Sequence, residues 1–591
     1  MHMNKNIARL AVTAGLTAAL SFGGVMAPVT MAFAAEGSTV TFSDTGYDNT
    51  STYKGIQIFK ATVTTTDGAK TVSNIEWASN DVKDAVVAAI QVKDPEYASD
   101  YAQDAADWLS ANAGVSGTDS KVASDNVLSS IAAKLDGKDG WQTTTAGSPS
   151  LSGLNAGYWL FLTATAGKPA DKSTDAFTSP VYAVIDGKST TTVTPKKDVP
   201  TVEKKVLDDA DAVSDDIKGS DKWKDVADSQ IGQEVNYKLT GTIASNYATF
   251  STYAYKFTDV LSDGLDYVDG SVEVYAVNHD VYNKIDESKY EVACGNKTLT
   301  VDFKVDGTKK GLKDVADVDA NTQIVVFYKA KLNSNAVIGN AASDKKGGNP
   351  NTVKLEYSNN PYAAGTGETI EDTVADFAFK LNLNKVDQGT EKGLAGAVFT
   401  IQSDDANTNG QYVASKTDTT AGVVAGQLVT VANVNNLPDY VMFTSDKEGK
   451  IAVSGLDAGS YKVTEVEAPD GSYTKANPFT FKITAKYDDA TMKVTELKAK
   501  VSESDKGRTD IAFGTLDGIA GDNDLHGQDN TGTNAEAGEV TINVGNTKSV
   551  GLPLTGLNGV TFTWIAGGAV LCIGVAHLIR SRKQAEESEQ E

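Results

Sequence analysis

From Val560 to Ile579 the chain carries no formal charge apart from a possible proton on His577, and Arg580, Ser581, Arg582 and Lys583 follow at once. About 20 apolar residues suffice to cross a bilayer as a helix. Basic residues directly behind such a span hold that end in the cytoplasm, so everything before it faces outward. At the other end Lys5 and Arg9 precede an apolar run from Leu10 to Ala27. Ala32-Phe33-Ala34 then sets small residues where a signal peptidase needs them, so residues 1–34 read as a signal peptide. Of the two cysteines, Cys572 lies in the span, which leaves Cys294 alone and no internal disulfide to stabilise the exported part. The net charge of −25 leaves no basic face for phosphate and argues against nucleic acid or anionic lipid as a partner.

More than 500 residues separate signal and span, too many for one core, and three domains are expected. The first, 35–195, has strand patterns over 38–42, 53–63, 157–165 and 179–185. Helical patterns lie between them over 81–91, 96–111 and 125–135, with Ser124 as the cap of the last. It reads as a β-sandwich with helical insertions. It holds no Ser/His/Asp grouping and no Cys/His metal spacing. Thr192 to Pro200, with two prolines among Thr and Lys, reads as an exposed, extended linker. The middle domain, 196–375, and the third, 376–548, read as strands between Gly, Asn and Asp turns.

Side chains alternate across a strand, and in these two domains the alternation puts polar groups on apolar faces. Lys204 shares a face with Val202 and Val206, Asp259 with Phe257 and Leu261, and Asn359 with Leu355 and Tyr357. In the third domain Lys385 is in phase with Phe379, Leu381 and Leu383, Glu465 with Tyr461 and Val463, and Asn546 with Ile542 and Val544. Burying such groups singly would cost several kcal/mol each, so each should have a partner. Cys294, in phase with Val292, reads as a small core hydrophobe. Residues 486–538 read as a long exposed loop. His279 and His526 are isolated. Asp522 and Asp524 sit in a Gly/Asn/Asp stretch that reads as a solvated turn or at most a weak Ca²⁺ contact. No cofactor, no metal site and no turnover enzyme is expected.

Three motifs resemble those of sortase-assembled Gram-positive pilins. Leu552-Pro553-Leu554-Thr555-Gly556, with the span and basic tail behind it, is similar to the LPxTG sorting signal. The resemblance implies that a sortase cuts between Thr555 and Gly556 and passes the Thr carbonyl to an amine. Thr194-Pro195-Lys196-Lys197 resembles the pilin motif and puts its acceptor lysine on Lys196. Thr194 stands where the family has Tyr and Lys197 where it has Asn, so Lys197 is the alternative acceptor. Residues 461–471, following the Gly455-Leu456-Asp457-Ala458-Gly459 hairpin, resemble the E-box of collagen-adhesin-B-like domains.

The resemblance implies a mainly β chain of tandem immunoglobulin-like or collagen-adhesin-like β-sandwiches, the first with helical insertions. Residues 549–591 add the sorting signal and a C-terminal transmembrane helix. It also implies intramolecular isopeptide bonds, Lys204 to Asn359 promoted by Asp259 and Lys385 to Asn546 promoted by Glu465. The alternative is a buried lysine–carboxylate ion pair capped by an asparagine. Burial lowers a lysine pKa and frees a nucleophilic amine, while a buried acid that keeps its proton can polarise the amide. The first domain should lack such a bridge. The implied function is the shaft subunit of a covalent pilus, secreted and anchored to the cell wall. Its expected partners are identical subunits, class C and housekeeping sortases, peptidoglycan and minor pilins; the sequence names no host ligand. A non-polymerised minor pilin or wall-anchored adhesin is the alternative, and a wall-anchored hydrolase fits poorly.

Overall fold

The structure is a computed structural model that describes residues 37–43, 50–66, 69–114, 121–168, 173–211, 217–340, 347–505, 508–513 and 533–548. The signal peptide, the stretch with Asp522, Asp524 and His526, and everything from Leu552 through the basic tail lie outside the described residues. Among those described, no helix is long and apolar enough to cross a membrane.

In the first domain one sheet is covered on both sides. Its main order is Ala69–Trp77, Thr52–Thr66, Gly157–Thr165, Val181–Ile185. Leu160 and Leu162 pack with Ile56 and Ile58 against the helices, while Trp159 and Phe161 turn to a small sheet of Ser150–Leu154, Ser38–Phe42 and Thr190–Val193. Residues 157–163 are therefore buried without a break, and a doubly covered strand reads as a continuous apolar run. The helices are Asn80–Lys93, Ala102–Asn112 and Val127–Leu135. The second starts six residues later than its pattern: Ser99 accepts from the Tyr101 N–H at 3.2 Å, a local bond that competes with helix. Asn126, not Ser124, caps the third, its side chain accepting from the Leu128 N–H at 2.9 Å.

The middle domain is two facing sheets. One holds Val202–Leu207, Glu234–Gly241, Gln323–Leu332 and Glu273–Asn278; the other holds Asp372–Phe377, Asn349–Ser358, Tyr255–Leu261, Thr298–Phe303 and, at its edge, Glu291–Gly295. Between them pack Tyr237, Leu239, Phe257, Val301, Val326 and Leu355. In the third domain the first strand, Phe379–Asp387, runs parallel to the last, Glu539–Asn546, with Lys385 opposite Val544 and Asp387 opposite Asn546. The facing sheet contains Val398–Ser403, Ser460–Glu467, Phe479–Asp488 and Lys493–Val501. This last strand corrects the loop expected over 486–538, since Val494, Leu497, Ala499 and Val501 are buried in the core.

The domains interlock. Tyr362 of the middle domain is 7% exposed in the first domain's core, where its hydroxyl bonds the Thr163 carbonyl at 3.1 Å. Asn340 of the middle domain exchanges two hydrogen bonds with the main chain of Val494, at 3.0 and 2.7 Å.

Candidate functional site

The third domain brings together all three of its expected residues. Lys385 Nζ bonds Asn546 Oδ1 and lies 3.4 Å from Glu465 Oε2, while Asn546 Nδ2 donates to Glu465 Oε1 at 2.9 Å. Lysine and asparagine come from the paired first and last strands, and the acid comes from the sheet facing them. The Ala476 N–H fixes the acid by donating to Oε2 at 2.6 Å. None of the three is more than 5% exposed. Burial pushes the Lys385 pKa down to about 8, against the opposing pull of Glu465. Against an ordinary lysine near 10.4, that raises the neutral amine fraction at pH 7 by roughly two hundredfold.

In the middle domain Lys204 Nζ lies 2.5 Å from Asp259 Oδ2, across the gap between the sheets, and both are fully buried. Its pKa is likewise lowered to about 8 by burial, with Asp259 opposing. The structure does not bring Asn359 to this pair. Register explains why: Asp259 stands opposite Val353, so Asn359 is six residues, about 20 Å, along the strand direction. Its amide reaches instead toward the Asp175 carbonyl at 3.4 Å, at the junction with the first domain. The asparagine at the pair is Asn351, fully buried and opposite Leu261. Its Nδ2 donates to the Tyr328 hydroxyl at 2.6 Å, and that hydroxyl contacts Lys204 Nζ at 2.9 Å and Asp259 Oδ2 at 2.7 Å. Asn351 was discoverable from the same alternation, because 351, 353, 355, 357 and 359 share one face. Asn351 lies on Asn349–Ser358, and the strand Asp372–Phe377 follows it, so it is not on the last strand.

At the linker the two lysines part. The Lys197 side chain is 2% exposed, paired with Asp175 and 3.0 Å from the Tyr53 hydroxyl. Ser51 also bonds Asp175. The first domain thus holds a buried lysine–acid pair that the sequence did not disclose. Lys196 is held by its main chain only: its N–H donates to Thr178 Oγ1 and its carbonyl accepts from the Ser179 N–H, both at 2.7 Å. Among the described residues its amine makes no hydrogen bond or ion pair.

Cys294 is a correction. It lies on the edge strand Glu291–Gly295, all of whose residues are exposed. It does share a face with Val292, itself 41% exposed, but no described residue covers that face. His279 sits exposed in the hairpin turn between Glu273–Asn278 and Val281–Lys284. No group of three or more His, Cys, Asp or Glu suited to a metal occurs among the described residues.

The family model of the Gram-positive pilin backbone subunit 2, a Cna-B-like domain, matches residues 231–361, and that of the SpaA prealbumin-like fold domain matches residues 379–498. The trypsin-resistant surface T6 protein of Streptococcus pyogenes serotype M6 is 26% identical over 414 residues, which cover 59% of this chain and 68% of the relative. The solved T6 backbone pilin of serotype M6 Streptococcus pyogenes aligns over 87% of this chain and 99% of its own, at 15% identity and a TM-score of 0.48. The full-length major pilin SpaD from Corynebacterium diphtheriae aligns over 88% and 99%, at 14% identity and a TM-score of 0.42. The chain thus carries one domain of the Gram-positive pilin backbone type and one of the SpaA prealbumin-like type, and is similar along more than half its length to the streptococcal T6 surface protein.

Proposed function

We propose that this chain is the shaft subunit of a covalent cell-surface pilus, joined by a sortase through Thr555 to Lys196 of the next subunit and braced by two intramolecular isopeptide bonds. The observation that carries the bracing is the pair of buried clusters in the two domains that follow Lys196: Lys385, Glu465 and Asn546 in direct contact, and Lys204 and Asp259 joined to Asn351 through the Tyr328 hydroxyl. In the third domain Lys385 would attack Asn546 with Glu465 as acid; in the middle domain Lys204 would attack Asn351 with Asp259. Each site reacts once and releases one ammonia. Proximity within a folded core removes most of the entropic barrier.

The acceptor reading favours Lys196 over Lys197. A sortase-bound acyl group must be reached by a free amine, and Lys197 is enclosed and held by Asp175. The placement is mechanically coherent. Tension would enter each subunit at Lys196 and leave at Thr555, so both bridges lie on its path and the first domain lies off it. The bridge at Lys385 and Asn546 would bypass the 161-residue separation between them and leave the hydrogen bonds inside it unloaded.

The test is a wall extract boiled in detergent. Wild-type cells should give a ladder of high-mass species, and Lys196→Arg, which keeps the charge but stays protonated, should give a single anchored monomer. A ladder that survives Lys196→Arg and vanishes in Lys197→Arg would move the acceptor by one residue. No ladder in wild type would leave a non-polymerised surface adhesin.

A further inference from the structure

The two clusters differ in how the acid reaches the leaving nitrogen. In the third domain Asn546 Nδ2 bonds Glu465 directly at 2.9 Å. In the middle domain the acid is one methylene shorter. Asp259 Oδ2 touches Lys204 Nζ, but Asn351 Nδ2 donates to the Tyr328 hydroxyl, which in turn donates to Asp259 Oδ2 and stands between the amide and the acid. Tyr328, on the strand Gln323–Leu332, faces the pair from the lysine's own sheet and stacks on Tyr237 at 5.2 Å between ring centres. Lys204, Asp259, Asn351 and Tyr328 are each at most 1% exposed, so bulk solvent does not reach the leaving nitrogen, and the hydroxyl in contact with it is that of Tyr328.

We propose that Tyr328 is a catalytic residue of isopeptide formation in the middle domain, relaying a proton from Asp259 to the departing nitrogen of Asn351. The inference rests on the isopeptide reading above. Lys204 Nζ, as the neutral amine, attacks Asn351 Cγ and a C–N bond forms. In the ground state Asn351 Nδ2 is a planar amide nitrogen and donates to the phenol oxygen. Attack makes it pyramidal and gives it a lone pair, and the same 2.6 Å contact then runs the other way. The Tyr328 O–H gives its proton to Nδ2, the Cγ–Nδ2 bond breaks and ammonia leaves. Tyr328 recovers a proton from Asp259, which takes one from Lys204 Nζ. One N–H proton has passed from lysine to ammonia, and the two relay groups end as they began. Burial, and then the nearby Asp259, raise the Tyr328 pKa well above that of an ordinary tyrosine, so the phenol holds its proton at neutral pH.

The test follows ammonia loss by intact mass in freshly translated ectodomain, quenched at intervals. An Asn546→Ala background removes the third-domain reaction, so any loss reports the middle domain. Tyr328→Phe should slow the loss on the order of a hundredfold, the usual weight of a positioned proton donor. Replacing Tyr328 by 3-fluorotyrosine keeps ring and hydroxyl but makes the phenol more acidic, and should change the rate without changing the melting temperature. That second variant decides the matter if Tyr328→Phe fails to fold. A wild-type rate in Tyr328→Phe, or an unaltered rate with 3-fluorotyrosine, overturns the relay while leaving the isopeptide reading intact. No ammonia loss from the parent background overturns both.

Discussion

Asn546→Ala separates a covalent bridge from a buried ion pair. The substitution leaves Lys385 facing Glu465 and removes only the amide, so no unpaired buried charge confounds the measurement. If the bond forms in the wild type, it closes a loop spanning a 161-residue separation, and the loop-entropy relation gives about 5 kcal/mol of stabilisation at 25 °C. For a domain of this size each kcal/mol moves the melting temperature by about 2–4 °C, so a fall of roughly 10–20 °C is expected. Without the bond, the loss is two hydrogen bonds at about 1 kcal/mol net each. Calorimetry of the ectodomain reads the shift, and urea unfolding gives a second measure. A bridged chain stays more compact when unfolded, so the denaturant slope should be larger in the variant; lost hydrogen bonds would not change it. Losing those two bonds alone would lower the melting temperature by about 4–8 °C, so a fall below about 8 °C with an unchanged slope would refute the bridge.

In the middle domain Asn351→Ala should abolish one ammonia loss and Asn359→Ala should leave it intact; intact mass decides, and the reverse result would mean that the register assigned to the Asp259 strand is wrong. Cys294 should react with a thiol reagent in the native ectodomain without prior unfolding, and protection that persists until the protein unfolds would contradict its placement on the edge strand. Between the middle and third domains the carboxyls of Asp228 and Asp457 lie close enough to raise each other's pKa, and the Ala458 N–H donates to Asp228 Oδ2 at 2.8 Å. Burial first, then neighbouring carboxylates, raise both well above the ordinary range, and burial pushes nearby Asp376 up to about 8. A raised acid pKa means that the folded state binds more protons, so stability at this junction is full below about pH 4 and is lost as pH rises toward 8. Melting temperatures from pH 5 to 9 should fall, and Asp457→Asn should flatten the profile; a rising profile would contradict the raised carboxyl pKa values at this junction.

The third-domain cluster was legible because three alternation patterns and one motif pointed to the same residues. The middle domain shows where alternation stops. It says which residues share a face, but Asn351 and Asn359 share one, and only the pairing of Asp259 with Val353 chooses between them. Cys294 failed for a related reason: phase with Val292 was right, yet phase does not reveal whether another sheet covers the face. Leu497, Ala499 and Val501 alternate in the strand Lys493–Val501, but the strand leads into an Asp/Gly-rich stretch whose polar composition makes the whole of 486–538 read as loop. In the first domain the short strands Ser150–Leu154 and Thr190–Val193 carry too little pattern to stand out. The burial of Lys197 depends on Asp175 and Tyr53, distant in the chain, which no local signal connects to it.

The covalent link between subunits is the feature on which a shaft function depends. Purified wild-type fibres digested with trypsin should yield a branched peptide in which the Thr555 carbonyl is joined to Lys196 Nζ, and fragmentation mass spectrometry would place that branch. The branch should fall at Lys196, with Lys197 unmodified. A branch at Lys197, or fibres whose Thr555 is joined to no lysine of this chain, would contradict that link.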